Sequence, residues 1–394
     1  VAVDTSATKA LGLLDVTNAG IRISNPNEFA LLGDVSKKDN DFALSSDIDL
    51  EDSGEWDGPK EYSGHFYGNG YTIKNLILRP KNDGKPVGLF ASTLYGATIE
   101  NFIVNVTTPP GEKPDIKGVY FGSAIGEVKG FTTITNVKAT GLLTFGDVQN
   151  SYDIVGGLVG GVADGNGLTI NRCASEVNIS TEGTMADGND NTIEFGGLIG
   201  FGRSTITITN SYATGTFTLA SERNQVFRAG GLVALMDSSG SLTIENCYAA
   251  LDIVTSSTVT RTAWNKNIYN GGLIGQSTKP ITIRNSAALN GKVLSIVPSS
   301  YTGIILCGRM VGAASAAQTY DNNYVRLGML CGATADTIAN AQANNEAGAL
   351  NTIAGYGKQM SDFYQEATWT TGLQFDSDIW DFSGLNVQKL PTLK

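Results

Sequence analysis

Along much of this 394-residue chain, apolar and polar positions alternate in short runs, and the runs recur. In Ile206-Thr207-Ile208-Thr209 the period of two puts the isoleucines on one face of a strand and the threonines on the other. A similar Thr-Ile strand follows a glycine doublet and an aliphatic run in GGLVGGVADGNGLTINRCA from Gly156, GGLIGFGRSTITITNSYATG from Gly196, GGLVALMDSSGSLTIENCYA from Gly230 and GGLIGQSTKPITIRNSAALNG from Gly271. A compact copy starts near Val87, another at Phe121 and a degenerate one at Cys307. Counted at the second glycine, the copies stand at Gly88, Gly122, Gly157, Gly197, Gly231, Gly272 and Gly308, 34 to 41 residues apart.

A repeat of that length is one supersecondary unit that cannot bury its apolar face alone. Each copy reads as three short strands: the GGLVG type, the Thr-Ile type and the TGTFTL type. Stacking like on like turns the Ile, Leu and Val positions into a continuous inner column. The expected fold is all-β, a right-handed parallel β-helix (solenoid) of seven or eight rungs with a C-terminal cap. At about 4.8 Å per rung it spans about 35 to 40 Å.

Residues 1–24 form an N-terminal lead, 25–330 the β-helix and 331–394 the cap. NPNEFALLGDV from Asn25 predicts a short helix, with Asn25 as N-cap, Pro26 as first residue, Glu28 in the first turn, and Phe29, Leu31 and Leu32 as its apolar face. DFALSSDIDL from Asp41 reads as a strand, and Gly68-Asn69-Gly70 as a tight turn between two short strands. The doublet glycines suit a corner that needs positive φ or close approach of a neighbouring strand. Asn75, Asn101, Asn136, Asn210, Asn246, Asn285 and Asn322 or Asn323 suit a second corner, with amides stacked as a ladder. Arg172 breaks that column, which predicts a local kink or bulge. Loops at Thr181–Asn191 and Ser256–Asn267 leave the coil at the surface. After Cys331 an Ala- and Asn-rich stretch shows no strand pattern. KQMSDFYQEATW from Lys358 reads as a short helix with Ser361 as an internal cap, and the end reads as a hairpin. Phe363, Tyr364, Trp369, Phe375, Trp380 and Phe382 are expected to cover the last rung, whose open edge invites aggregation.

Composition sharpens this picture. Charged residues are 16% of the chain against about 25% in ordinary globular proteins, and there are 48 glycines. The net charge of −11 excludes nucleic acid and anionic lipid as electrostatic partners. No apolar stretch reaches the ~18 residues of a membrane span. Val1 at the start, in place of methionine, is read as the trace of an export signal. Cys173 and Cys247 share a repeat position filled by Ser211 and Ser286 elsewhere. Two rungs, about 10 Å, separate them, beyond disulfide reach. With Cys307 and Cys331 they read as small buried residues.

The Gly-Leu-aliphatic-Gly core, as in Gly157-Leu158-Val159-Gly160 and Gly197-Leu198-Ile199-Gly200, resembles the GLUG repeat family. The DIDL…GHFYGNGYTIKNLIL opening from Asp47 and the W…LPTL close from Trp380 extend the resemblance over residues 25–394. It implies a secreted or surface-attached, mostly bacterial, adhesin-like β-helix, and it carries no catalytic residues. In one branch such repeats accompany immunoglobulin-A-cleaving metallopeptidases. The chain departs from the pattern at Ala234-Leu235 and at Cys307-Gly308.

Candidate chemistry is sparse. His65 is the sole histidine, so His-Glu-x-x-His zinc chemistry is excluded, and a Ser-His-Asp arrangement would need His65 itself. Gly156-Gly157-x-x-Gly160-Gly161 lacks the Lys-Ser/Thr and helix of a phosphate loop. Asp47, Asp49, Glu51, Asp52, Glu55 and Asp57, and separately Asp187, Asp190 and Glu194, offer oxygens to calcium, with a solvated acidic edge favoured. Glu100 and Glu245 point outward four rungs apart, with Thr135, Thr209 and Arg284 at like positions, too scattered for paired-carboxylate hydrolysis. The expectation is a non-catalytic protein with no cofactor and no metal site. It binds host or environmental glycans or surface proteins through a face rich in Thr, Ser and Tyr. Loops carrying Trp264 and Tyr269, or Tyr152 and Phe227, are further recognition candidates. A polysaccharide-processing enzyme and a structural spacer are the alternatives.

Overall fold

A computed structural model describes residues 20–81, 83–146, 153–183, 191–221, 225–257, 267–335, 343–344 and 346–394. Strand makes up 53% and helix 7%, wound as a parallel β-solenoid of about seven turns. Three ladders run along it. In the doublet ladder, Tyr120–Gly122, Asp153–Gly156, Asn191–Gly196, Gln225–Gly230, Ile268–Gly271 and Ile305–Gly308 pair in order. In the aliphatic ladder the order is Phe90–Thr93, Ile125–Val128, Val159–Val162, Ile199–Gly202, Val233–Met236, Ile274–Ser277 and Val311–Ala314. The third, the threonine ladder, holds the Thr-Ile strands, turns a corner and continues. Its register is strict: Ile134, Ile170, Ile208, Ile244 and Ile283 are consecutive partners, each 0% exposed. Burying such a column is what stacking supplies and a lone unit lacks.

Close approach explains the doublets. Neither glycine of any doublet has positive φ. A Cβ on Gly231 would collide with the Gly272 carbonyl of the next rung and stand 2.7 Å from the Ala249 Cβ. One on Gly230 would collide with the Val233 carbonyl of its own rung.

The asparagine corner is left-handed throughout. Asn101, Asn136, Asn210, Asn246, Asn285 and Asn322 have φ between 47° and 61°. Amides bridge rungs, Asn136 Nδ2 to Asn101 Oδ1 at 2.9 Å and Asn322 Nδ2 to Asn285 Oδ1 at 2.8 Å. Arg172 makes no bulge. It occupies the corner at φ 54°, and pairing through Asn171↔Thr209 continues unshifted. The corner demands a dihedral, and Arg172 meets it at the cost of strain. The register shift falls instead at Asn75, inside Thr72–Ile77, where φ is 58° and the amide reaches Asp49 Oδ1 at 2.7 Å.

The coil also starts earlier than the glycine count implies. Ile21–Ile23, Phe42–Leu44 and His65–Tyr67 are parallel neighbours leading into Thr98–Thr107. Gly68-Asn69-Gly70 is therefore a corner and not a hairpin, because both flanking strands pair with Thr98–Thr107. The helix forms at Pro26–Phe29, with Asn25 Oδ1 accepting from Glu28 N at 3.0 Å. Of the N-terminal lead, residues 1–19 lie outside the described residues, as do the excursions 184–190 and 258–266 and residues 336–342 of the Ala/Asn stretch.

The C-terminal segment packs somewhere unexpected. Two short turns form in place of one helix: a 3-10 turn, Met360–Tyr364, closed by Gln359 N donating to Asp362 Oδ2 at 3.0 Å, so that Ser361 is not its cap, and a π-helical turn, Thr368–Gly372. The hairpin forms as Trp380–Asp381 against Thr392–Leu393. Phe363, Trp369, Phe375, Trp380 and Phe382 bury themselves on Ala174, Tyr212, Tyr248, Ala287 and Tyr324. Those five residues are register partners on successive rungs, one outward column after the asparagine corner. The cap is thus a strap along the flank rather than a lid over the final rung, because outward aromatic rings there needed cover. Tyr212 and Tyr248 stack at 5.0 Å, and Tyr248 OH donates to the Pro391 carbonyl at 2.6 Å. Beyond the last rung, Gly355–Lys358 pairs with Tyr324–Arg326, and Ala343–Asn344 turns back on Met329–Ala335.

Candidate functional site

On the outward face before the corner, the register aligns Thr98, Thr133, Thr169, Thr207, Thr243, Thr282 and Thr319 as partners on seven successive strands. Each is partly or fully exposed, because its isoleucine neighbours take the inner face. None of these seven hydroxyls is engaged by another described residue. Beside them runs a mixed column of Glu100, Thr135, Asn171, Thr209, Glu245, Arg284 and Asp321.

An exposed aromatic pair edges the threonine column. Tyr95 is 75% and Phe131 52% exposed, and their rings meet edge-on at 5.4 Å. Glycines make the room: a Cβ on Gly167 would stand 2.7 Å from Phe131 ring atoms, and one on Gly130 would collide with the Tyr95 backbone. The pair and Thr98, Thr133, Thr169 and Thr207 line a shallow groove of about 320 Å³. Flat hydroxyl rows with an aromatic edge offer hydrogen bonds and an apolar face to one ligand.

A second feature fills the outer angle between the doublet and aliphatic ladders. Ile154, Phe201 and Leu235 pack there as a small separate core. Beside it, Glu194, 1% exposed, meets Arg228 Nη1 at 2.8 Å, and Arg228 Nε also donates to Gln276 Oε1. Burial pushes the Glu194 carboxyl up to about 7, outweighing the opposing pull of Arg228. Glu194 is a strand residue in an ion pair and not part of a calcium loop; Asp187 and Asp190 lie outside the described residues.

The remaining candidates disperse. His65 Nε2 stands 3.1 Å from Glu100 Oε1, its ring stacked on Tyr67 at 3.5 Å. The acidic N-terminal residues are largely engaged: Asp47 with Lys74 at 2.9 Å, Glu55 with Arg79 and Asp57 with Lys81, both at 2.6 Å. Hydrogen bonds from Lys74 and Thr72 hold Asp47 below the usual carboxylate range. Among the described residues no three His, Cys, Asp or Glu gather closely enough to hold a metal ion. Glu100 and Glu245 sit four register steps apart, as expected. Phe227, expected on a surface loop, is 2% exposed and belongs to the solenoid core. Tyr269 lies on the outer face with Arg228 5.9 Å from its ring centre, while Tyr152 and Trp264 lie outside the described residues. All four cysteines are free thiols. The aromatic pair escaped the sequence reading because Tyr95 and Phe131 lie in turns between strands; their equivalent places before successive Thr-Ile strands were the available signal. Among the described residues no helix is long and apolar enough to cross a membrane.

No family model and no curated protein matches the chain. Among solved structures, it is similar to a Bacteroides ovatus protein provisionally named an immunoglobulin A1 protease, at 14% identity and a TM-score of 0.53, over 95% of this chain and 91% of that one. It also matches an IgA1 protease at 17% identity and a TM-score of 0.46, over 97% of this chain and 26% of that one. At such identities the first likeness extends to the fold: a parallel β-solenoid running nearly the full length of both chains.

Proposed function

We propose that the chain is a non-catalytic, secreted or surface-attached binding protein of the GLUG-repeat kind, and that the threonine face engages extended glycans. The supporting observation is the seven-strand threonine column with its aromatic edge. A ligand with hydroxyls at regular intervals meets the same donor and acceptor set at every rung, so weak contacts add along its length. A proteolytic reading drawn from the name of the similar structure would need a nucleophile with its base or a metal. With His65 as sole histidine, the two-histidine zinc motif has no place in this sequence.

The test is binding of the purified chain to arrayed neutral glycans and surface proteins, followed by Thr169→Arg, which plants a charged side chain mid-face. Saturable glycan binding without product release, lost in Thr169→Arg, supports the proposal. Cleavage of immunoglobulin A1 or of any bound polysaccharide would overturn it, and so would binding to none of the arrayed ligands.

A further inference from the structure

The groove filled by the strap does not end where the strap ends. Its floor is the outward column after the corner, and toward the N-terminus that column continues from Ala174 to Lys138 and Ile103. The apolar residues of the strap pack on the column from Tyr324 back to Ala174, and Ile103 on the same column is 37% exposed. Beside it lies a cleft of about 450 Å³ between Ile103, the corner residues Asn101, Asn136 and Arg172, and the strap residues Thr392, Leu393 and Lys394, with Phe102 and Val137 behind it in the solenoid core.

The asparagine ladder is interrupted twice: at Asn246 and Asn285, whose amides turn to Gln374 of the strap, and at this cleft, where no described residue of the strap takes the place of the missing amide. Asn136 donates its amide to Asn101, but where the next rung should return an amide to Asn136 Oδ1 it presents Arg172. Asn171 then takes over, accepting from Asn210 Nδ2 at 3.1 Å. The exposed Arg172 guanidinium has no acid within ion-pair distance among the described residues, although the chain carries a net charge of −11. Neighbouring Lys138 bridges Glu176 at 2.8 Å, and Glu176 also accepts from Tyr212 OH at 2.7 Å, so the Glu176 carboxylate is already engaged. A strained, unpaired arginine beside a free amide oxygen and the exposed Ile103 leaves polar and apolar groups together, available to a ligand.

We infer that this cleft binds a carboxylate-bearing saccharide, a uronate unit of an acidic glycan. Arg172 offers its planar fork to the carboxylate, Asn136 Oδ1 accepts from a ring hydroxyl, and the exposed Ile103 side chain takes the C–H face of the sugar. The site is separate from the threonine face in both position and ligand charge.

The test is calorimetric titration of the full chain with tetragalacturonate, with cellotetraose as a neutral control of equal length and a sulfated tetrasaccharide as a second anion. The uronate binds at least tenfold more tightly than the neutral chain, and added salt weakens it. Arg172→Asn loses at least tenfold in affinity for the uronate while its circular dichroism is unchanged, and Arg172→Lys loses less. Thr169→Arg leaves uronate binding intact, so failure here and failure of the threonine-face proposal are told apart. With the threonine face blocked by Thr169→Arg, equal affinity for cellotetraose, undiminished binding by Arg172→Asn, or binding of the sulfated sugar in place of the uronate would each overturn the inference.

Discussion

Replacing Arg172 by asparagine is expected to make the protein more stable. The side chain stands at φ 54° in a corner where its equivalents on neighbouring rungs are asparagines. For an ordinary L-residue the left-handed region costs about 1–2 kcal/mol, whereas asparagine visits it with little penalty. An asparagine there also restores the missing rung of the ladder, donating to Asn136 Oδ1 as Asn136 donates to Asn101. A net hydrogen bond contributes about 1 kcal/mol, and less at an exposed position such as this. The two effects together give roughly 1–3 kcal/mol in favour of the variant.

Heat is a poor assay for a change of this size. At about 2.1 cal/mol/K per residue, a unit of this length shifts its melting temperature by only about 1–4 °C. Urea unfolding is the better measurement, followed by far-ultraviolet dichroism and by fluorescence of Trp56, Trp369 and Trp380, which report the N-terminal coil and the strap. Coincident transitions establish that the solenoid unfolds as one unit, which long repeat arrays do not always do. Arg172→Gly separates the two contributions: it relieves the dihedral without a ladder amide, and its own chain entropy opposes the gain. The expected order is Asn above Gly, with Gly near the parent. An Arg172→Asn variant no more stable than Arg172→Gly would refute the ladder contribution, and one no more stable than the parent would refute the account of the corner.

Other perturbations test other parts of the fold. Gly231→Ala should prevent stacking, since its Cβ has nowhere to go between the Gly272 carbonyl and the Ala249 Cβ; Gly70→Ala, with open space around φ 80°, should cost only about 1–2 kcal/mol, and dichroism of the two purified variants compares them. Trp380→Ala removes a ring that is 0% exposed and packs on both Tyr212 and Tyr248; a loss of about 3–5 kcal/mol and rapid proteolysis within 360–394 are expected, while resistance equal to the parent would contradict the strap assignment. Glu194 titrates near 7 when folded against an ordinary value of 4.5, so between those values the unfolded chain gives up a proton that the folded chain keeps. Its contribution is therefore full below about pH 4.5, declines as pH rises to about 7 and is flat beyond. Urea midpoints at pH 5, 6, 7 and 8 should show that decline, and Glu194→Gln should remove it.

How much of this was legible in the sequence depends on what repetition enforces. The inner isoleucines, the doublets and the asparagines recur because each rung must repeat its neighbour's geometry, so alternation and spacing reveal them. Repetition does not distinguish a hairpin from a coil corner: Gly68-Asn69-Gly70 carries the same turn chemistry in both, and only the pairing partner decides. Nor did it show that a corner keeps its dihedral when the residue changes, which is why Arg172 read as a bulge. The strap was illegible for a different reason. Its contacts, such as Tyr248 OH to Pro391 and Asn246 to Gln374, join residues well over 100 positions apart, one partner in the repeat and the other outside it. The available signal was that Tyr212 and Tyr248 put large rings on an outward column where adjacent rungs carry Ala174 and Ala287, a pattern that solvent would not favour. The same logic bears on function. Residues identical from rung to rung are explained by stacking alone, so recognition has to be sought where the repeat departs from itself. Arg172 is such a departure, at the corner of the rung whose Ala174 packs under the strap, with Lys138 and Ile103 on the two rungs before it.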